Sequence, residues 1–344
     1  MKNESRGGRG GLVALCIILG LVLTVLLGGT IYANHLMNLM GRVEIGNEQT
    51  LSQEELDKLL ADETVAPGET NAPVLKEEEI NWGNENLAPI EQSENIVNIL
   101  LIGQDAREGW GRSRSDSMIL VTFNKEKKTI TLTSFLRDLY VKIPGYSDNK
   151  LNSAYPAGGM ELLNEALELN FGVQVDGNVE VDFSRFADVI DLLGGVDMEL
   201  RQDEANYING KTGRYALSAG IQHLDGEQAL YYSRIRHLDI DADFSRTNRQ
   251  RKVINALIEE FRNTKLTTLL GLLDDLLPMI TTDMSNADII SYATELFPML
   301  ADCTIVSQRV PADGEYSLAT IRGMACVVAD MDAARELLTQ TMAE

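Results

Sequence analysis

Residues 96–138 read IVNILLIGQDAREGWGRSRSDSMILVTFNKEKKTITLTSFLRD. Three apolar runs, IVNILLIG, MILVTFN and TITLTSFL, are short, rich in β-branched residues and bounded by Gly, Asn and Lys clusters, so they read as strands. NKEKK, 124–128, separates the second from the third as a hairpin turn. The polar residues gather at the strand ends. Asp105 stands just beyond the first run, Arg114 and Asp116 just before the second, and Arg137 and Asp138 just after the third.

Further along, GNVEVDF (177–183) reads as a strand. Helical periods follow in GMELLNEALELNF, SRFADVIDLLGG and DGEQALYYS, and then in a long helix from about Ser245 to Arg262. The tail adds LTTLLGLLDDLLPMI, stopped near Pro278, then NADIISYATELFPML, two strand-like runs holding Cys303 and Cys326, and a last helix MDAARELLTQTM. Strands interleaved with helices predict an α/β fold, an α-β-α sandwich in which helices flank a central mixed sheet. No linker-like break divides 96–344, which is expected to form one domain.

The N-terminus predicts location. Lys2, Arg6 and Arg9 precede an uncharged run from Gly10 to Ala33, long enough to span a bilayer as one helix. Basic residues on its short side put 1–9 in the cytoplasm and the rest outside. A cleaved signal peptide is the rival reading, though its apolar region would be shorter. Residues 34–95 carry fourteen acids against Arg42, Lys58 and Lys76, with scattered Pro and Gly. That composition predicts a solvated extracellular stalk, in which LSQEELDKLLADE could form a short helix. Outside the cell, Cys303 and Cys326 could form a disulfide or remain two buried thiols; no C-x-x-C metal spacing exists.

The chain holds 52 Asp+Glu against 30 Lys+Arg, a formal net charge of −22. That balance argues against wholesale nucleic-acid binding, which needs a broadly basic footprint. Yet 231–252, YYSRIRHLDIDADFSRTNRQRK, concentrates Arg234, Arg236, Arg246, Arg249, Arg251 and Lys252 against Asp239, Asp241 and Asp243. Asp225 and Gln228 make a capping box for the helix before it. Arg234 and Arg236 share a face only if the chain is extended, so the helix is expected to end there. In the next helix Val253, Ile254, Leu257, Ile258 and Phe261 form an apolar stripe. Extended backwards, it lands on Gln250 and Arg246, which therefore point inward from the first turns, where free amides favour an anion. Arg249 and Arg251 fall off the stripe and are expected to be solvated or salt-bridged. The alternative for Arg246 is neutralisation by Asp239–Asp243 or other carboxylates. At the strand ends, Asp105 and Asp116 could hold Mg²⁺, which binds through one or two carboxylates plus phosphate oxygens.

These segments resemble the LytR-CpsA-Psr family of exported phosphotransferases of Gram-positive bacteria. The match runs in order through NILLIGQDAR, RSRSDSMILVTFN, SFLRDLYVKIPG, KLNSAYPAGG, FADVIDLLGGVDMEL, LDGEQALYYSRIRH and DFSRTNRQR, covering about 96–262. Leu136 stands where many members have Pro, and Ser245 where Gly is usual. The resemblance implies transfer of a glycopolymer from an undecaprenyl-pyrophosphate carrier to a muramic acid hydroxyl of peptidoglycan, forming a phosphodiester. It implies Mg²⁺ (or Mn²⁺) on Asp105 and Asp116, catalysis by Asp105, Asp116 and Arg137, and pyrophosphate binding by Arg114, Arg137, Arg234, Arg236, Arg246 and Gln250. It implies a single-pass membrane protein with its catalytic domain outside the cell, and an apolar tunnel for the polyprenyl tail.

Two rivals stay open at this level: a lipid-pyrophosphate hydrolase using the same site, and a non-catalytic regulator or wall-binding module. No P-loop, G-x-S-x-G or G-x-G-x-x-G is present.

Overall fold

The computed structural model describes residues 32, 34–61, 72–83, 88–104, 112–236, 238–239, 242–296, 299 and 302–343. The expected span 10–33 lies outside them except for Tyr32. Among the described residues no helix is long and apolar enough to cross a membrane.

The strands are β1 (Gly41–Arg42), β2 (Ile96–Gln104), β3 (Ser115–Asn124), β4 (Thr129–Phe135), β5 (Tyr140–Val141), β6 (Asn149–Lys150), β7 (Gly177–Asp182), β8 (Val196–Leu200), β9 (Gly220–Leu224), β10 (Ile280–Thr282), β11 (Thr304–Val310), β12 (Tyr316–Ile321) and β13 (Met324–Ala329). The helices are α1 (Gln53–Leu60), α2 (Ala154–Phe171), α3 (Phe183–Leu192), α4 (Gln202–Thr212), α5 (Gly226–Ser233), α6 (Ala242–Asn263), α7 (Leu266–Leu276), α8 (Asn286–Leu296) and α9 (Met331–Met342).

One seven-stranded sheet runs β1-β10-β7-β2-β3-β4-β11. It is mixed: β2, β3 and β4 are antiparallel neighbours, whereas β7 and β11 join their neighbours β2 and β4 in parallel. The expected hairpin sits between β3 and β4, where the Lys127 amide donates to Asn124 Oδ1 at 2.8 Å. Side chains alternate across the sheet, and both faces are covered. Leu100, Ile102, Met118, Leu120 and Phe135 pack with α2 and α9, while Ile119, Val121, Ile130 and Leu132 pack with Ile254 and Ile258 of α6. Burial on both faces is why β2 reads as a nearly continuous apolar run. The α-β-α sandwich is therefore as expected. A side cluster built from the β8–β9 hairpin, α4 and α5 packs Ile235 and Val253 fully buried, tying the α5–α6 connection to the domain.

Where it is described, the acidic segment 34–95 is not the solvated stalk its charge suggests. β1 pairs in parallel with β10, Leu56 and Leu60 of α1 are in the main core, and the Ile90 amide donates to the Gly172 carbonyl at 2.8 Å. Most of the described acids are exposed, but Glu48 turns inward to pair with Arg112, and a few spaced apolar residues anchor the segment. Gly159 of α2 (φ 73°) adopts the left-handed conformation that favours glycine, and the Glu48 and Arg112 side-chain ends pack against it. Cys303 and Cys326 are buried in different clusters and are not joined to each other.

Candidate active site

The β3–β4 register pairs Met118 with Phe135, and two more steps bring Asp116 opposite Arg137. Arg137 Nη1 donates to Asp116 Oδ1 at 2.8 Å, and its Nε lies 3.4 Å from Asp138 Oδ2. Lys150, on β6 and only 6% exposed, brings Nζ to 3.0 Å from Asp138 Oδ1. Burial pushes the Asp116 pKa up, but the charge and hydrogen bond of Arg137, with the charges of Arg246 and Arg236, outweigh it and hold the carboxyl below its usual range. Asp138 is likewise raised by burial and lowered more by Arg137, Lys150 and Arg246. Both carboxylates are thus ionised at neutral pH.

The second wall is the α5–α6 connection. Asp225 caps α5 by accepting from the Gln228 amide at 2.9 Å, and Gln228 Oε1 accepts from the Asp225 amide at 3.0 Å. The helix stops at Ser233, as the spacing of Arg234 and Arg236 required. Ile235 between them is fully buried, so the two arginines flank an inward anchor. On α6, Arg246 is 2% exposed and Gln250 8% exposed, both inward as the stripe predicts. The helix starts at Ala242 rather than near Ser245, so Arg246 occupies the second turn, and its charge, not an end amide, is what it brings.

The structure thus brings together Asp116, Arg137, Arg236 and Arg246, and adds Asp138 and Lys150. Arg114 stands two residues before Asp116, and Arg234 caps α5; both are half-buried. Asp105 lies outside the described residues. The sequence places Asp138 among the polar residues at the strand ends without assigning it a role, and Lys150 carries no signal of its own, since a lone lysine before LNSAYPAGG has no chemical pattern. The remaining arginines divide. Arg249 is salt-bridged as expected, though buried: its Nε meets Glu204 Oε1 at 2.9 Å and its Nη2 contacts Asp239. Asp239 therefore neutralises Arg249 and Arg201. Arg251 contradicts the expectation, being neither solvated nor salt-bridged. It is 6% exposed, with no carboxylate partner among the described residues, because α6 is buried nearly all round at this level.

One turn beyond Arg246, Gln250 lines a cavity of about 100 Å³ between the sheet and α3, α5 and α6. Its walls are apolar, including Leu101, Ile119, Val179, Val181, Phe186 and Ile254. A cationic cluster and an apolar cavity therefore share a wall. Arginine forks match phosphate oxygens, and the cavity suits hydrocarbon, so this end of the sheet can hold an amphipathic anion.

The fold and site define an α/β sandwich with a polar centre at one sheet end. The chain belongs to the LytR_cpsA_psr family, whose sequence profile matches residues 61–342. The match extends well past 96–262 on both sides and takes in β11–β13 and α9. Among relatives, the chain is 36% identical over 226 residues to "Regulatory protein MsrR" of Staphylococcus aureus (strain COL), covering 64% of this chain and 66% of that protein. It is 35% identical over 208 residues to "Polyisoprenyl-teichoic acid--peptidoglycan teichoic acid transferase TagT" of Bacillus subtilis (strain 168), covering 59% and 63%. The aligned parts thus span just under two thirds of these relatives. The solved structure "LytR-CPS2A-psr family protein YwtF (TagT) with bound octaprenyl pyrophosphate lipid" is similar with a TM-score of 0.57 and 26% identity, over 77% of this chain and 99% of that one.

Proposed function

We propose that this protein is a phosphotransferase that moves a glycopolymer from an undecaprenyl-pyrophosphate carrier to a muramic acid hydroxyl of peptidoglycan. The observation carrying this reading is the wall shared by the Arg137–Arg246 cluster and the apolar cavity, bridged by Gln250. The names of TagT and its lipid-bound structure support the same reading. Arg137, Arg236 and Arg246, with Arg114, Arg234 and Gln250, hold the pyrophosphate, and the polyprenyl chain enters the cavity. At about 100 Å³ that cavity holds roughly one small apolar molecule, so a long chain requires α3 and α6 to part from the sheet.

In the reaction the acceptor hydroxyl oxygen bonds to the sugar-linked phosphorus as that phosphorus's bond to the bridging oxygen breaks; undecaprenyl phosphate leaves with the electron pair, and the hydroxyl proton ends on that released phosphate. Such transfer needs positioning and charge neutralisation more than covalent chemistry by the protein. Arg137 orients Asp116 and neutralises phosphate charge. The ionised Asp116 is a hard oxygen donor that fits Mg²⁺, with Asp105 as its sequence-predicted partner; among the described residues no group of three or more metal-ligating side chains exists. When bound, the ion would neutralise charge developing on the pyrophosphate. The N-terminal run anchors the protein in the cell membrane, with the domain outside.

The test uses purified full-length protein, a labelled lipid-linked glycan and peptidoglycan. Label appearing on peptidoglycan supports transfer. Label released only as free glycan phosphate assigns the hydrolase, and no release at all assigns the non-catalytic binding module.

A further inference from the structure

Arg251 on α6 and Arg309 on β11 lie on neighbouring elements, beside the site just described. Asn255 Nδ2 on α6 donates to Ser307 Oγ on β11 at 3.1 Å. One helical turn back from Asn255 is Arg251, and two strand residues on from Ser307 is Arg309. Those steps are about 6 Å and about 6.6 Å long, so the two arginines stay level as their neighbours do. Arg309 is the cross-strand partner of Ser134 on β4. Its guanidinium lies 4.3 Å from the Phe244 ring centroid, and its Nη2 contacts Asp313, whose side chain is 93% exposed.

This cluster is not satisfied from within. Arg251 Nε and Nη1, Arg309 Nη1, Ser134 Oγ and Asn255 Oδ1 are buried without a hydrogen-bond partner among the described residues. Burial, and then the neighbouring charge of Arg309, push the Arg251 pKa down to about 10. It remains charged at neutral pH. Arg309 is half-buried and pairs with the exposed Asp313, but the buried Arg251 beside it meets no carboxylate among the described residues of a chain with 52 acids, and a buried charge without a counter-charge costs stability. The partners are distinct: the cations acting on Asp116 and Asp138 are Arg137, Arg236, Arg246 and Lys150, whereas Arg251 is next to Arg309, and Arg309 pairs with Asp313.

We propose that Arg251 and Arg309, with Ser134 and Asn255, form a second oxyanion site that takes a phosphate group. Two guanidiniums supply charge and several N–H donors, the serine hydroxyl donates or accepts, and the amide completes a polar shell around a tetrahedral anion. The phosphate is either free inorganic phosphate or one carried on a polymer chain. The proposal does not depend on the transfer reading, because binding is measured without turnover.

The experiment follows thermal stabilisation of full-length protein in detergent by inorganic phosphate, and by a glycerol-phosphate oligomer, in an Arg246→Gln background that disables the first cluster. Phosphate should still stabilise Arg246→Gln, and adding Arg251→Met or Arg309→Gln should weaken it by about tenfold or more. Ligand-free Arg251→Met should melt at or above its parent. Tighter binding of the oligomer assigns the polymer-borne source, and equal binding the free anion. No phosphate response in Arg246→Gln, or an unchanged response in both added variants, overturns the site. So does loss of melting temperature in Arg251→Met with an intact response in Arg309→Gln, which assigns Arg251 a structural role.

Discussion

Arg137 Nη1 and Asp116 Oδ1, 2.8 Å apart, join the end of β4 to the start of β3 where the ladder itself has stopped. The folded-state pKa of Asp116 lies below its unfolded value of about 3.9. The pair's stabilisation is therefore present above that value and lost as pH falls through the folded pKa. Asp138 shifts in the same direction. The contribution of these two carboxylates should be constant from neutrality to about pH 5 and decline in stronger acid. In Arg137→Gln the decline should begin at higher pH, with neutral-pH stability lower by roughly 1–3 kcal/mol and transfer reduced ten- to hundredfold. Denaturant melts across pH 2–7 check the first outcome; identical acid limbs in both proteins would remove Arg137 as the cause.

Arg246 and Arg249 lie within one turn of α6, and both are buried, but their partners differ. Arg249 sits against Glu204, and the two side chains are 4% and 5% exposed. Arg249→Ala leaves Glu204 buried without its nearest cation and should destabilise by about 3–5 kcal/mol. Arg246 instead acts on the carboxylates of the candidate active site. Arg246→Ala should lower polyprenyl-pyrophosphate affinity by one to two orders of magnitude, about 1.5–3 kcal/mol, with a near-parental melting temperature. Calorimetric melts and lipid-binding titrations of both variants separate the roles. Equal loss of stability in both would make the whole cluster a salt-bridge network.

The sheet strands β2, β3, β4 and β7 were legible because two-sided burial leaves unbroken β-branched runs, and the inward turn of Arg246 and Gln250 followed from the α6 stripe. Two things were not. Residues 41–60 carry a solvated composition, and they are attached by a two-residue strand, by Leu56 and Leu60, and by long-range polar contacts such as Glu48 with Arg112 and the Leu51 amide with the Ala157 carbonyl, none of which a composition-based reading encodes. Arg251 departs from the expectation because a single stripe defines one buried face, whereas α6 also meets the sheet's edge strand β11, through Asn255 and Ser307, beyond that stripe. Lys150 depends on a long-range contact with Asp138 that no local pattern encodes.

The attachment of the acidic segment has a direct check. Leu56 is fully buried in the main core. Leu56→Ala should therefore cost about 2–5 kcal/mol, as for any large-to-small core change, instead of the near-zero effect expected on a spacer. Glu54→Ala, in an exposed pair with Lys58, should change stability by less than about 0.5 kcal/mol. If both substitutions are silent, α1 does not contribute to the folded domain.

Val181 and Ile254 both line the apolar cavity, Val181 from the sheet and Ile254 from α6. Enlarging either side chain fills space that the lipid needs while leaving the guanidiniums in place. Val181→Phe should weaken binding of a polyprenyl pyrophosphate by about tenfold or more, since each excluded methylene forfeits roughly 0.8 kcal/mol of burial. Overpacking itself costs typically 1–3 kcal/mol, so the melting temperature should fall modestly. Inorganic pyrophosphate, which has no tail, should bind the variant as it binds the parent. The comparison of the two ligands is the measurement: a selective loss of lipid affinity identifies the cavity as the tail's path. Equal loss for both ligands would mean that Val181 disturbs the cationic cluster, and no loss for either would send the lipid elsewhere on the surface.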